Sequence, residues 1–69
     1  MNIYKDKNGR VVQPGDRIRV MPKSLGYAFE YIAVYDPKFD DLVFKRIDDD
    51  GNVWSLNVWT GEEEEIISE

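Results

Sequence analysis

The 69-residue sequence contains neither cysteine nor histidine. Without cysteine the chain forms no disulfide and no thiolate metal site, and without histidine it has no imidazole ligand. The commonest general base and the most reactive nucleophile are therefore absent, and no serine lies in a nucleophile-elbow sequence. The sequence predicts a protein that is not an enzyme and that holds no cofactor and no metal.

Long apolar segments are missing too. No run approaches the roughly 20 apolar residues that a membrane span needs. The first six residues, Met-Asn-Ile-Tyr-Lys-Asp, lack the apolar region of a signal peptide. We therefore expect a cytoplasmic protein that has no membrane partner.

One acidic segment looks superficially like a calcium loop. It reads Asp-Asp-Asp-Gly-Asn over residues 48–52. A calcium loop of the EF-hand type needs glycine at its sixth position and glutamate at its twelfth. Counted from Asp48, those positions hold Val53 and Trp59, so the segment is predicted to be a solvated hairpin turn.

The net charge of −5 is unevenly divided along the chain. Residues 1–23 carry six basic and two acidic side chains, whereas residues 24–69 carry three basic and twelve acidic ones. Two interpretations stay open. Either the halves interleave into a surface of cross-strand ion pairs, or the fold has two surfaces of opposite sign, each with a partner.

The chain divides into short apolar segments separated by turn residues. Asn8-Gly9, Pro14-Gly15 and Asp50-Gly51 are pairs that favour tight turns. Five or six strands at a spacing of roughly 8–12 residues, without helical periodicity, predict a single all-β domain over residues 1–69. Residues 62–67 are predicted to form either a short helix or a closing edge strand, and Ile66-Ile67 favours the strand.

Residues 12–20 carry a resemblance to a known fold. Their sequence, Val-Gln-Pro-Gly-Asp-Arg-Ile-Arg-Val, is similar to the entry of SH3-like barrels, including the KOW-type barrels of translation and transcription proteins. There a Gly-Asp turn, here Gly15-Asp16, leads into the first core strand. The resemblance implies a small SH3-like barrel of five to six short antiparallel strands. It does not extend to the basic RNA-binding surface of KOW-type modules: Gly26 can stand for their loop glycine, but the rest of the chain is acidic.

The longest apolar and aromatic run is residues 25–36. Strand alternation divides it into two faces. Ile32 and Val34 share one face, interrupted by Glu30, and are expected to be buried with the other core residues, Ile18, Val20, Trp54, Leu56 and Val58. The second face carries Tyr27, Phe29, Tyr31 and Tyr35, and it either closes the barrel or faces a partner.

The two tryptophans are five residues apart, an odd spacing that puts their rings on opposite faces of one strand. Trp54 shares its face with Leu56 and Val58, so it is predicted to lie in the core. For Trp59 the sequence allows two roles. It is either a satellite of the core beneath the C-terminal segment or an exposed anchor for a partner.

These features favour a non-enzymatic protein-interaction module. In size and composition the chain is similar to small accessory proteins of phages and mobile elements, some of which use acidic surfaces to occupy nucleic-acid-binding sites on host enzymes. The expected contact surface combines acidic and aromatic side chains and meets a basic protein partner. Its candidate residues are Tyr27, Phe29, Tyr31, Tyr35, Trp59, Asp40, Asp41, Asp49 and Asp50.

Two alternatives belong to other classes. One is single-stranded nucleic-acid binding through Arg17, Arg19 and the tyrosine face, which the acidic net charge disfavours. The other is a homo-oligomer with a purely structural role.

Overall fold

The computed structural model describes residues 2–67, whose five strands form one antiparallel sheet. Its strands are β1 (Arg17–Val20), β2 (Phe29–Asp36), β3 (Asp41–Ile47), β4 (Val53–Ser55) and β5 (Glu64–Ile66). Their order across the sheet is β4-β3-β2-β1-β5. The all-β prediction is confirmed, and β5 is a strand, as favoured for residues 62–67. The predicted barrel closure is not seen, because β4 and β5 remain separate edges of the sheet.

The turn before β1 shows how the sequence starts the sheet. Gly15 has a φ of +92°, a backbone conformation that side chains other than hydrogen disfavour. In that conformation its N–H donates to the carbonyl of Ala33 at 2.7 Å, and the N–H of Ala33 donates back to the Asp16 carbonyl at 2.9 Å. The Pro14-Gly15-Asp16 turn is thereby hydrogen-bonded to β2 before β1 begins.

The core lies on one side of the sheet, here called the inner face. Its buried side chains come from β1, β2, β3, β5 and the segment before β1: Val12, Ile18, Val20, Tyr31, Ala33, Leu42, Phe44 and Ile66. Residues 4–12 form a hairpin through a Lys5–Val11 bridge. Tyr4, Leu56 and Trp59 pack against the edge of this core as half-buried side chains. The predicted burial of Ile18 and Val20 is confirmed.

The predicted orientation of β2 is wrong. Its alternation is as expected, but Tyr31 and Ala33 point into the core, while Ile32 and Val34 are 48% and 41% exposed. The register explains the inversion, because Tyr31 pairs with the fully buried Ile18 and therefore lies on the same face. Both faces of this strand are apolar, so its own sequence could not decide which one is inside.

Trp54 and Val58 were also expected in the core, and both are exposed. The prediction treated residues 53–59 as one strand, whereas β4 ends at Ser55. Beyond that point only Leu56 continues the pairing, through its N–H to the Phe44 carbonyl at 2.9 Å. Side-chain alternation counted along the sequence therefore does not apply to Val58. Trp54 does lie on the inner face, but β4 is an edge strand, so no further described strand covers its ring.

A buried carboxylate joins the N-terminal hairpin to β5. The Oδ1 atom of Asp6 accepts hydrogen bonds from the N–H groups of Asn8 and Arg10, and Oδ2 accepts one from Ile66 at 2.9 Å. Burial tends to raise the pKa of Asp6, but these backbone donors outweigh it and hold the pKa below its usual value. The ionised form of Asp6 is therefore part of the folded structure.

Candidate interaction surfaces

At one end of the inner face, three aromatic side chains lie around Arg46, and a fourth, Tyr27, packs against one of them, Phe29. We call this group the aromatic–arginine cluster; its members are Tyr27, Phe29, Tyr31, Arg46 and Trp54. The β3–β4 register places Arg46 directly opposite Trp54. The guanidinium carbon lies 4.3 Å from the ring centroid of Phe29, 5.5 Å from that of Trp54 and 5.8 Å from that of Tyr31.

The guanidinium of Arg46 is held by rings rather than by a carboxylate. Its Nε atom is buried and has no hydrogen-bond partner among the described residues. A cation over an aromatic face gains about 0.5–2 kcal/mol, depending on how far it is desolvated. Arg46 therefore joins the rings of Phe29, Tyr31 and Trp54 into one unit.

Two rings of the cluster remain open to solvent. Tyr27 is 59% exposed and meets Phe29 edge to face, with ring centroids 5.0 Å apart. Trp54 is 49% exposed, and its indole N–H donates to Oδ2 of Asp48 at 2.9 Å. Large aromatic side chains that are fixed and yet accessible are the usual anchors of protein interfaces.

The 48–52 turn borders this cluster and adds negative charge. Asp48 Oδ1 accepts the N–H groups of Asp50 and Asn52 at 3.0 and 2.9 Å. The hydrogen bond from Trp54, followed by the Asn52 N–H, lowers the pKa of Asp48. With Asp48 engaged inside the turn, the exposed side chains of Asp49 and Asp50 extend from its tip. These two candidates thus lie next to the aromatic–arginine cluster.

Trp59 belongs to a different group of rings. It stacks on Phe44 with centroids 4.7 Å apart, meets Tyr4 edge to face at 5.6 Å, and donates its indole N–H to the Lys5 carbonyl at 2.9 Å. It is half-buried and packs against the core and the N-terminal hairpin, as expected of a satellite of the core. A groove of about 470 Å³ passes beside it. Its role as an anchor stays a prediction.

The remaining candidates lie at the other end of β3: Tyr35 in β2, Asp40 in the turn that follows, and Asp41 at the start of β3. The Tyr35 hydroxyl donates to Asp40 Oδ1 at 2.6 Å, a bond that raises the pKa of Tyr35. The Tyr4 hydroxyl donates to Asp41 Oδ2 at 2.8 Å and lowers the pKa of that carboxyl group. The structure therefore does not bring Asp40 and Asp41 together with Asp49 and Asp50.

Arg17 and Arg19 lie on the opposite side of the sheet, the outer face. Arg17 pairs across the strands with the exposed Ile32, and its guanidinium contacts Glu30 at 2.8 Å. Tyr31 and Phe29 point to the inner face from the same strand pair. The two arginines and the tyrosine face are thus separated by the sheet, so one strand of nucleic acid does not contact both on a single surface.

Sequence reasoning missed the central role of Arg46 and the exposure of Trp54. A signal for the pairing of Arg46 with Trp54, although not for the exposure of Trp54, was present in the 48–52 turn. A hairpin with its tip at Asp50 pairs residues whose numbers sum to 100, and this rule places Arg46 opposite Trp54. Applying hairpin register rather than counting along one strand would have identified the pair.

Comparison of the chain with protein-family models, with curated proteins and with solved structures finds no match. None of the described residues belongs to a helix that is long and apolar enough to cross a membrane. Over residues 2–67, no group of three or more acidic side chains is arranged to hold a metal ion.

Proposed function

We propose that this chain is a non-enzymatic protein-interaction module of the SH3-like type, with an open rather than closed sheet. The Gly15-Asp16 turn supports the fold assignment, since it leads directly into β1, whose Ile18 and Val20 are buried. The lack of cysteine and histidine supports a binding role over a catalytic one.

The aromatic–arginine cluster is the proposed binding surface. The observation that carries this assignment is the arrangement around Arg46, where buried Tyr31 and half-buried Phe29 support two rings that stay exposed, Tyr27 and Trp54. Rings held in this way lose little conformational entropy when a partner packs on them. An apolar side chain of the partner would bury the faces of Trp54 and Tyr27.

The 48–52 turn indicates the charge of the partner. Asp49 and Asp50 are exposed at the tip of the turn whose Asp48 accepts the indole N–H of Trp54, so a lysine or arginine next to the partner's apolar residue would meet them. Charges at the rim of an interface mainly steer association and select the partner, while the buried aromatic contact supplies most of the affinity. The proposed ligand is therefore a protein segment that places a basic residue beside an apolar one.

Capture from a lysate of the source cell, followed by affinity measurements with the purified partner, tests this proposal. Trp54→Ala is expected to weaken binding by about thirtyfold or more, the loss typical of an interface hot spot. Phe39→Ala is the matched control, because it removes another exposed aromatic ring at the far end of β3 and should leave binding within about twofold.

Equal affinity of wild-type protein and Trp54→Ala would contradict the assignment of the surface. The nucleic-acid alternative is tested separately with a labelled single-stranded oligonucleotide. Binding that falls steeply as salt is added would support that alternative over the proposed protein partner.

A further inference from the structure

The outer face carries a second surface that the proposed function does not use. On β2, β3 and β4, aliphatic side chains form a contiguous strip made of Ile32, Val34, Val43, Ile47 and Val53. An open groove of about 620 Å³ lies along it, lined also by Arg17, Glu30, Tyr31, Lys45 and Arg46. Ile47 at its end is 72% exposed, and no described segment of the chain covers the strip.

A lysine lies in the middle of this strip. Lys45 pairs across the strands with Ile32, and Val43 and Ile47 flank it on its own strand and face. It is exposed, and the structure gives it no ion pair or hydrogen bond with another described residue. Two other cations line the groove: Arg17 is ion-paired with Glu30 at 2.8 Å, and the guanidinium of Arg46 lies over the ring of Phe29. Lys45 is thus the cation around which the aliphatic side chains are arranged.

We infer that the outer groove binds an amphipathic protein segment whose aliphatic side chains surround a single carboxylate. The carboxylate pairs with Lys45, and the aliphatic side chains bury the strip on both sides of it. A charged group surrounded by apolar contacts is partly desolvated when the ligand binds, which makes a matching opposite charge a strong requirement for the ligand.

The composition of the groove selects this occupant over two others. Single-stranded nucleic acid is held by aromatic platforms on which bases stack. Every strip residue is aliphatic, and the aromatic residue that lines the groove, Tyr31, is buried in the core and offers no open ring face. A second copy packed through the same face would bring two uncompensated Lys45 side chains into one symmetric interface, at the cost of like-charge repulsion. An acidic, aliphatic segment has neither disadvantage.

Selection from a displayed library of random peptides on the immobilised protein tests this inference. The selected peptides should share aliphatic residues and at least one aspartate or glutamate. Their affinity should fall by about tenfold or more, or roughly 1.4 kcal/mol, for Lys45→Glu and for Ile47→Ser. Ile3→Ser is the matched control, since it removes an exposed isoleucine that lies outside the groove.

Charge reversal provides the decisive step. A peptide whose acidic residue is replaced by lysine should bind Lys45→Glu better than it binds the wild-type chain. Lys45→Gln serves the same comparison if Lys45→Glu does not fold, which circular dichroism establishes. The inference is overturned if selection yields no peptides of this class, or if Ile47→Ser binds them with the affinity of the wild-type chain. It is also overturned if the lysine-substituted peptide binds Lys45→Glu no better than it binds the wild-type chain. It is also overturned if sedimentation shows a wild-type dimer that Ile47→Ser dissociates, because the occupant is then a second copy.

Discussion

The guanidinium carbon of Arg46 lies 4.3 Å from the ring centroid of Phe29, and the Nε atom of the same arginine is buried without a hydrogen-bond partner among residues 2–67. A buried donor that no acceptor satisfies usually costs about 1–3 kcal/mol. Contact with the faces of Phe29, Trp54 and Tyr31 offsets this cost. The arginine therefore links the core to the exposed rings, and it can be altered in ways that separate its charge from its packing.

Two substitutions of Arg46 should separate the contribution of its charge to stability from the contribution of its packing. Arg46→Ala removes both the cation over the rings and the stem that covers them, and we expect a loss of about 1–2 kcal/mol in the free energy of unfolding. Arg46→Met keeps an apolar stem and removes the unsatisfied donor, so it should stay within about 1 kcal/mol of wild type. Urea unfolding measures both. Lys45→Ala, on the outer face of the same strand, is the control and should change stability by less than about 0.5 kcal/mol. A fully stable Arg46→Ala variant would contradict the packing role.

Asp6 should make the protein sensitive to acid. Its pKa in the folded state is below its ordinary value of 3.8, so its ionised form adds stability that is complete above that pH. This contribution is lost as the pH falls through the lower, folded-state pKa. Thermal unfolding measured between about pH 6 and pH 2 should therefore show Asp6→Asn less stable than wild type by about 1–3 kcal/mol at the upper end. The difference should narrow towards the lower end, and a constant difference across the range would show that the charge of Asp6 is not involved.

Substitution of Glu64 should lower the stability of the fold about as much as substitution of Asp6. Its buried carboxylate accepts the Gly61 N–H at 2.7 Å and both the hydroxyl and the N–H of Thr60. Glu64→Gln turns one accepting oxygen into an amide donor that faces these groups, and we expect a loss of about 2 kcal/mol by urea unfolding. Glu65→Gln is the control on the neighbouring residue. It loses only the contact with Lys7 at 3.5 Å and should cost less than about 1 kcal/mol. Equal losses in the two variants would contradict this account.

Local patterns in the sequence predicted the strands whose two faces differ in polarity. Ile18 and Val20 alternate with Arg17 and Arg19, so the buried face of β1 was unambiguous. β2 has two apolar faces, and only its pairing with β1 shows that Tyr31 rather than Ile32 is buried. Such a choice depends on the neighbouring strand, which the sequence of β2 does not contain.

The polar contacts of the fold were beyond sequence reasoning for a different reason. Asp6 is buried because it accepts the N–H of Ile66, sixty residues further along the chain. From sequence, Asp6 belongs to a turn, and Glu64 to a run of four solvated glutamates. Trp54 was misplaced because the sequence does not show that β4 is an edge strand, where no further described strand covers its ring. Val58 was misplaced because β4 ends at Ser55, a boundary that no glycine or proline marks. The aromatic–arginine cluster became visible only once the register of β3 and β4 was known.

The most direct test of the proposed binding surface uses the two tryptophans of the chain. Each indole N–H gives its own signal in a ¹H–¹⁵N correlation spectrum, and their surroundings differ. The Trp54 N–H contacts Asp48 beside the exposed cluster, whereas the Trp59 N–H is bonded to the Lys5 carbonyl and its ring stacks on Phe44. On titration with the captured partner, the Trp54 signal should shift or broaden while the Trp59 signal stays in place. A shift of Trp59 with Trp54 unchanged would contradict the account and would move the binding surface to the groove beside Tyr4.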